Sequence, residues 1–177
     1  MSRTTSTAWW RRTRDNPTRL RAWLYDQYRG EVTAAGRIEA LRDRFCEPGS
    51  RGCRVLTVIA GQERDHAGWI GELLAARGLP VVVENKGDRY WREVVPGIAD
   101  LETGAAVGAH AERMRLERIE AIAADPEAPA DIRAVFARIL PQERFHARAF
   151  AELATPEALA RTAGAHALGR EALGLVR

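Results

Sequence analysis

Gln62-Glu63-Arg64-Asp65-His66-Ala67 returns as Gln142-Glu143-Arg144-Phe145-His146-Ala147, identical at five of six positions with an offset of 80. The match spreads outward from this core: Val55 corresponds to Val135, Ile59 to Ile139, and Glu72-Leu73 to Glu152-Leu153. A second correspondence, at an offset of 81, pairs Arg37-Ile38-Glu39-Ala40-Leu41 with Arg118-Ile119-Glu120-Ala121-Ile122 and sets Glu31 against Glu112. A duplicated hairpin related by a pseudo-twofold axis is the economical account of both.

The surrounding pattern is helical. Asp15-Asn16-Pro17 offers a cap followed by proline at a first helical position. Leu20, Trp23, Leu24, Tyr28, Ala34, Ala35, Ile38, Leu41 and Phe45 then recur at helical spacing until Glu47-Pro48-Gly49. A second run goes from about Arg54 to Arg77 and stops at Gly78-Leu79-Pro80. At 1.5 Å per residue each run is roughly 35–43 Å long, a length suited to a bundle. Residues 79–100 differ: Val81-Val82-Val83 reads as extended, Lys86-Gly87-Asp88 as a turn, Tyr90-Trp91 as an anchored aromatic pair. So long a connection exceeds an ordinary helix hairpin and can carry the chain from one end of a bundle to the other. A third helix is predicted from about Leu101 to Ala124, broken by Asp125-Pro126-Glu127-Ala128-Pro129, and a fourth from about Ala130 to Leu153. Thr155-Pro156-Glu157 opens a short terminal helix to about Leu173. The expectation is a single all-α domain. Residues 1–16 form an N-terminal extension, 17–153 a four-helix bundle of two hairpins joined by a long crossover, and 154–177 a C-terminal helix.

The repeated hexapeptide carries chemistry. In Glu-x-x-His the side chains lie three residues apart, on one helix face and about one turn from each other. A carboxylate and an imidazole so placed can bind one metal ion or bridge towards a second. Glu63 with His66, Glu143 with His146, and one glutamate from each remaining helix, Glu31 and Glu112, give four carboxylates and two imidazoles. Four negative charges balance two divalent cations. Without metal, the carboxylates would repel and share protons. Carboxylate–histidine sets of this composition occur in the cores of helical bundles that hold two metals.

On these residues the chain resembles the ferritin-like superfamily, and within it the short rubrerythrin-like and bacterioferritin-like proteins, over about residues 18–153. Tyr28-Arg29-Gly30-Glu31 resembles the first-helix ligand segment, Glu63 and His66 the second-helix motif, Glu112 the third-helix ligand, Glu143 and His146 the fourth-helix motif. The separations Glu31 to Glu63 (32) and Glu112 to Glu143 (31) are close to those the family uses. The resemblance implies a non-haem di-iron oxidase, oxygenase or peroxidase, with manganese as the alternative metal; a cytoplasmic protein is expected because Met1 to Arg14 holds no secretory signal. It would act on O2 or peroxide and on a small-molecule substrate or Fe(II), draw on an external electron donor, and form a homo-oligomer. Ferritin-type iron storage, a di-manganese catalase-like enzyme and a tRNA-modifying hydroxylase share the fold and stand as rival expectations. The chain departs from rubrerythrins in carrying no rubredoxin-like cysteine module, and in having Ala109 where an additional third-helix carboxylate is expected.

Other residues have plainer readings. On the third helix Glu117 is turned from Glu112 by roughly 140° and Glu120 by roughly 80° at about 100° per residue. Glu117 is therefore expected to face solvent, and Glu120, like Glu39, to form a flanking salt bridge with arginine. His110 reads as a packing or surface histidine. Gln62 and Asp65 are candidates to orient the ligand histidines through hydrogen bonds. Tyr28, one turn before Glu31, could assist the site through a hydrogen bond or fill the core. Gly61 and Pro141, at one repeat position, would weaken their helices two residues before the ligand glutamates.

Composition sets the outer bounds. Of 177 residues 46% are hydrophobic and 29% charged, with 8 prolines, which fits one folded domain. No apolar stretch reaches the ~20 residues of a membrane span, and the segment from Met1 to Arg14 lacks the apolar centre of a secretory signal. The net charge of +3 is carried almost wholly by arginine spread along helical faces, which argues against nucleic-acid binding. Cys46 and Cys53 are too few for a four-thiolate metal site and are expected as reduced thiols or a loop-closing disulfide.

Overall fold

The computed structural model describes residues 5–83 and 97–172. Among them lie six helices: α1 (Ser6–Arg14), α2 (Pro17–Phe45), α3 (Arg51–Ala75), α4 (Leu101–Ala123), α5 (Ala130–Leu153) and α6 (Pro156–Ala172). The helix ends follow local chemistry. Asn16 accepts from the Arg19 N–H ahead of Pro17, Ser50 from Cys53 and Asp100 from Thr103, each cap satisfying an orphan donor of a first turn. Both free cysteines border the turn between α2 and α3. Gly49 in that turn has φ +77°, a left-handed conformation that side chains resist.

The order of buried residues along each helix gives the topology. One apolar cluster contains Trp10, Trp23, Leu24, Ile70, Leu74, Ile119, Ile122, Ile132, Phe136 and Ile139. The other contains Ile38, Leu56, Ile59, Ala60, Ala105, Ala109, Ala149 and Phe150. α2 and α5 run from the first cluster to the second, whereas α3 and α4 run from the second to the first. The pairs α2/α3 and α4/α5 are thus antiparallel hairpins, and they are the most extensively packed pairs. α3 and α4 point the same way, so α3 ends and α4 begins at opposite ends of the bundle. Val81–Val83 carry no strand, being irregular and exposed. Lys86-Gly87-Asp88 and Tyr90-Trp91 fall outside the described residues. The chain belongs to the class of ferritin-like helical bundles.

Small residues bring the second hairpin together. A Cβ on Gly108 would lie 2.7 Å from the Phe150 ring, so only glycine lets that ring seat against α4. α5 passes through Pro141 and α3 through Gly61 without a break. The flanking pairs repeat as expected: Arg64 meets Glu39, and Arg144 Nη2 lies 2.8 Å from Glu120 Oε1. Glu117 does not simply face solvent, because Arg170 of α6 pairs with it. α6 also caps His110, whose Nε2 is 3.1 Å from Thr162 Oγ1 and whose ring stacks on His166 at 4.3 Å.

Residues 6–14 of the N-terminal extension form α1, which packs across the bundle. α1 inserts Trp10, fully buried, against Trp23 with ring centroids 5.0 Å apart. The Trp10 indole N–H donates to Asp125 Oδ2 at 2.8 Å, and Arg14 reaches the same oxygen at 2.6 Å. A nine-residue helix has little stability of its own, so this docking holds it in place. Trp10→Ala should lower unfolding free energy by about 3–5 kcal/mol in urea denaturation, the usual loss for a fully buried large aromatic. A loss below about 1 kcal/mol would mean that α1 is not docked in solution.

Candidate metal centre

Between the two apolar clusters the four bundle helices point polar groups inward. α2 supplies Glu31, α3 Glu63 and His66, α4 Glu112, α5 Glu143 and His146. Glu31, Glu63, His66, Glu143 and His146 are 0% exposed and Glu112 is 7% exposed. All six residues singled out in the sequence therefore meet in one layer. They fall into two overlapping groups, Glu31/Glu63/His66/Glu143 and Glu63/Glu112/Glu143/His146, in each of which one potential ligand atom per residue lies within 4.8 Å of the others. Glu63 and Glu143 belong to both groups, and each group has its own histidine and its own single glutamate.

Both imidazoles present Nδ1 to the carboxylates. His66 Nδ1 is 3.2 Å from Glu143 Oε1 and 3.8 Å from Glu31 Oε2. His146 Nδ1 is 3.3 Å from Glu63 Oε1 and 3.7 Å from Glu143 Oε2. The far nitrogens are clamped across the pseudo-twofold axis: His66 Nε2 is 2.7 Å from Gln142 Oε1, and His146 Nε2 is 2.8 Å from Gln62 Oε1. An amide oxygen only accepts, so each Nε2 carries the hydrogen. In the neutral ring Nδ1 is then the free electron pair, aimed into the cluster. Gln62 thus plays the orienting part expected of it. Asp65 does not, since it is exposed on α3. Gln142 completes the symmetric clamp; the repeat already equated it with Gln62, which was the signal available for it.

Burial makes this layer electrostatically costly. Two like charges about 4 Å apart repel by about 4 kcal/mol even at an effective dielectric constant of about 20. Burial, reinforced by Glu143 and Glu63, holds the Glu112 carboxyl well above the ordinary 4.5. Burial also raises Glu63, with Glu143 adding to it and His146 opposing. Burial works against the charge of Glu143 too, but Arg115 and both imidazoles outweigh it and hold that carboxyl well below 4.5. The imidazoles resist charging because they are buried, yet the adjoining carboxylates, Glu143 foremost, raise both above 6.5.

The Tyr28 ring rests against Gly71 of α3, 3.5 Å from where a Cβ would be, and packs on the tryptophan-lined cluster. Trp69 lies 5.5 Å from the His66 ring, beneath the Arg138 guanidinium at 3.7 Å. The residue that sequence reasoning missed is Arg115, one turn beyond Glu112. Its guanidinium enters the cluster, touching Glu31 and approaching Glu143 Oε1 at 3.2 Å.

The donor set fits two cations. Both oxygens of Glu31, Glu63 and Glu143, Glu112 Oε2 and both histidine Nδ1 atoms are buried and make no well-formed hydrogen bond, although Arg115 and the imidazoles lie close to several of these oxygens. Folded proteins leave few such atoms, and here they converge on one place. Carboxylate oxygens with imidazole nitrogens suit first-row divalent metals such as iron and manganese. A helical bundle with this buried Glu/His layer is a ferritin-like carboxylate protein with a cluster compatible with a di-metal site. Within that class the chain belongs to the rubrerythrin family, whose model matches residues 23–154. Comparison with curated proteins and with solved structures gave no match.

The metal-free protein should lose stability as pH rises from 4.5. Glu112 and Glu63 have folded pKa values above their unfolded ones, so their contribution is complete below 4.5 and is lost as pH climbs through the raised values. Glu112→Gln should flatten that decline in urea denaturation between about pH 5 and about pH 8. Glu143→Gln should instead weaken the protein throughout that range, because a depressed carboxyl stabilises only above its unfolded value. Equal pH slopes in wild type and Glu112→Gln would contradict the assignment.

Proposed function

We propose that this protein is a di-iron oxidoreductase that uses O2 or peroxide to oxidise a small substrate or Fe(II) itself. The observation that carries the reading is the pair of overlapping buried groups, each with a histidine, a private glutamate and two shared glutamates. Glu31 and His66 would hold one metal and Glu112 and His146 the other, with Glu63 and Glu143 common to both groups. A di-iron centre held by these residues would supply the electrons for reduction of O2 or peroxide.

The protein's own residues set the conditions for that chemistry. The layer is walled off by the tryptophan-lined cluster on one side and the alanine-rich cluster on the other, so bulk water is kept out. With six ligands almost wholly buried, only a small oxidant reaches the centre without a side chain moving aside. The Gln62 and Gln142 clamps hold each imidazole with Nδ1 facing the carboxylates, which fixes the tautomer needed for binding. Metal binding would compete with the protons that burial favours on Glu63 and Glu112 and that the carboxylates favour on the imidazoles. A substrate would approach between the helices near the small residues Ala34, Ala35, Gly36, Ala60, Ala67 and Ala111. The chain's two cysteines are free and separate from the site, so reducing electrons come from an external donor.

Protein expressed with iron should hold about two irons per chain, and after anaerobic reduction it should consume O2 or hydrogen peroxide in stoichiometric pulses. His66→Ala and His146→Ala should each lower metal content and slow that consumption by about 100-fold. Protein that binds two irons but leaves both oxidants untouched would rule out the oxidoreductase reading. Uptake of manganese in preference to iron, with peroxide disproportionation, would redirect it to catalase-like chemistry.

A further inference from the structure

The pseudo-twofold relation holds through almost every residue of the site. Glu31 answers Glu112, Glu63 answers Glu143, His66 answers His146, Gln62 answers Gln142, and even the outer Arg64–Glu39 and Arg144–Glu120 pairs correspond. Among the charged groups that face the carboxylate cluster, it fails at Arg115. Three residues after Glu112 stands Arg115, whereas three residues after Glu31 stands Ala34. The three-residue spacing places Arg115 on the face that carries Glu112.

The arginine does not treat the two halves alike. Its Nη2 contacts Glu31, its Nε is 3.2 Å from Glu143 Oε1, and its Nη1 is 3.8 Å from Glu63 Oε2. These are the three carboxylates of the group Glu31/Glu63/His66/Glu143. The side chain is 20% exposed while the carboxylates it meets are 0% exposed, so it runs from the bundle surface to the centre. A guanidinium is permanently charged and its fork of N–H donors matches carboxylate oxygens. It therefore sits as a cation on the oxygens that a metal in that group would use. The same oxygens cannot face a guanidinium and coordinate a divalent metal at about 2.0–2.2 Å together. A long flexible stem with an outlet to solvent gives the head somewhere to go.

We propose that Arg115 is a resident competitor for the Glu31/Glu63/His66/Glu143 half-site. It compensates these carboxylates in the metal-free protein and swings outward when a metal enters there. The two half-sites then load in order, Glu63/Glu112/Glu143/His146 first and the Arg115-occupied half-site second. Arg115 is a positioning residue and no part of the ligand set. The proposal rests on the two-metal reading of the cluster, and it adds that the sites are unequal and says which is the weaker.

Anaerobic titration of metal-free protein with Co(II), followed by its visible absorption, tests this directly. The wild type should bind two equivalents in separate steps, the second at least about 10-fold weaker than the first. In R115M and R115Q, which keep length without charge, the second dissociation constant should fall until the two agree within about threefold, the first staying nearly unchanged. Either variant suffices if the other does not fold. In parallel, Co(II) titration of E112Q should weaken the first step and that of E31Q the second. Equal steps in the wild type, or an unchanged ratio in the uncharged variants, would overturn the proposal while leaving the two-metal reading intact. Failure of the wild type to bind any Co(II) would overturn both.

Discussion

Four carboxylates and two imidazoles share a layer from which water is excluded, and charge neutrality in that layer is the condition the rest of the fold must satisfy. Repulsion among the ionised carboxylates, at about 4 kcal/mol per close pair, would quickly reach the whole net stability of a typical domain, about 5–15 kcal/mol. Three features reduce it without metal. Burial favours the protonated forms of Glu112 and Glu63, the adjoining carboxylates favour charged imidazoles, and Arg115 supplies a fixed positive charge. Two divalent cations would replace the protons and leave the buried oxygens and nitrogens coordinated instead of orphaned.

The scaffold makes such a layer tolerable by enclosing it between two well-packed apolar clusters. One is built from tryptophans, isoleucines and Phe136, with Trp10 of α1 sealing it; the other uses alanines and Phe150, drawn in against Gly108. Duplication explains how opposed ligands arise together. Each Glu-x-x-His pair brings its own preceding glutamine, and the twofold relation sends that glutamine to the histidine of the other copy. The geometry of the Glu/His layer therefore depends on the docking of α3 against α5, which the clamp itself helps to fix. The arginine breaks that symmetric frame.

Much of this was legible in the residues because the constraint is local and repeated. Glu63, His66, Glu143 and His146 show themselves by spacing, Glu31 and Glu112 by correspondence between the copies, and Glu39 and Glu120 by their equivalent flanking arginines. The crossover was legible because residues 79–100 break helical periodicity for too long to be a hairpin turn. What escaped depends on contacts between distant elements. Arg115 is one of many arginines at helical spacing, and only the packing of α4 against α2 and α5 aims it inward. The nine residues of α1 carry no acidic residue in their first turn, and they fold because Trp10 finds Asp125 and Trp23. Glu117 looks solvent-facing on its own helix until α6 brings Arg170 to it. Asp65 failed as a clamp for the same reason: helical position alone does not tell which of two neighbouring polar residues meets a partner.

The most direct test of the central claim is the anomalous scattering from crystals grown with iron or manganese. Two peaks about 3.5–4 Å apart, lying between Glu63 and Glu143 with His66 and His146 at opposite ends, are the result this account predicts. No peak within the carboxylate layer, with the glutamates still buried around it, would contradict the account and leave the cluster as a purely structural hydrogen-bonded core.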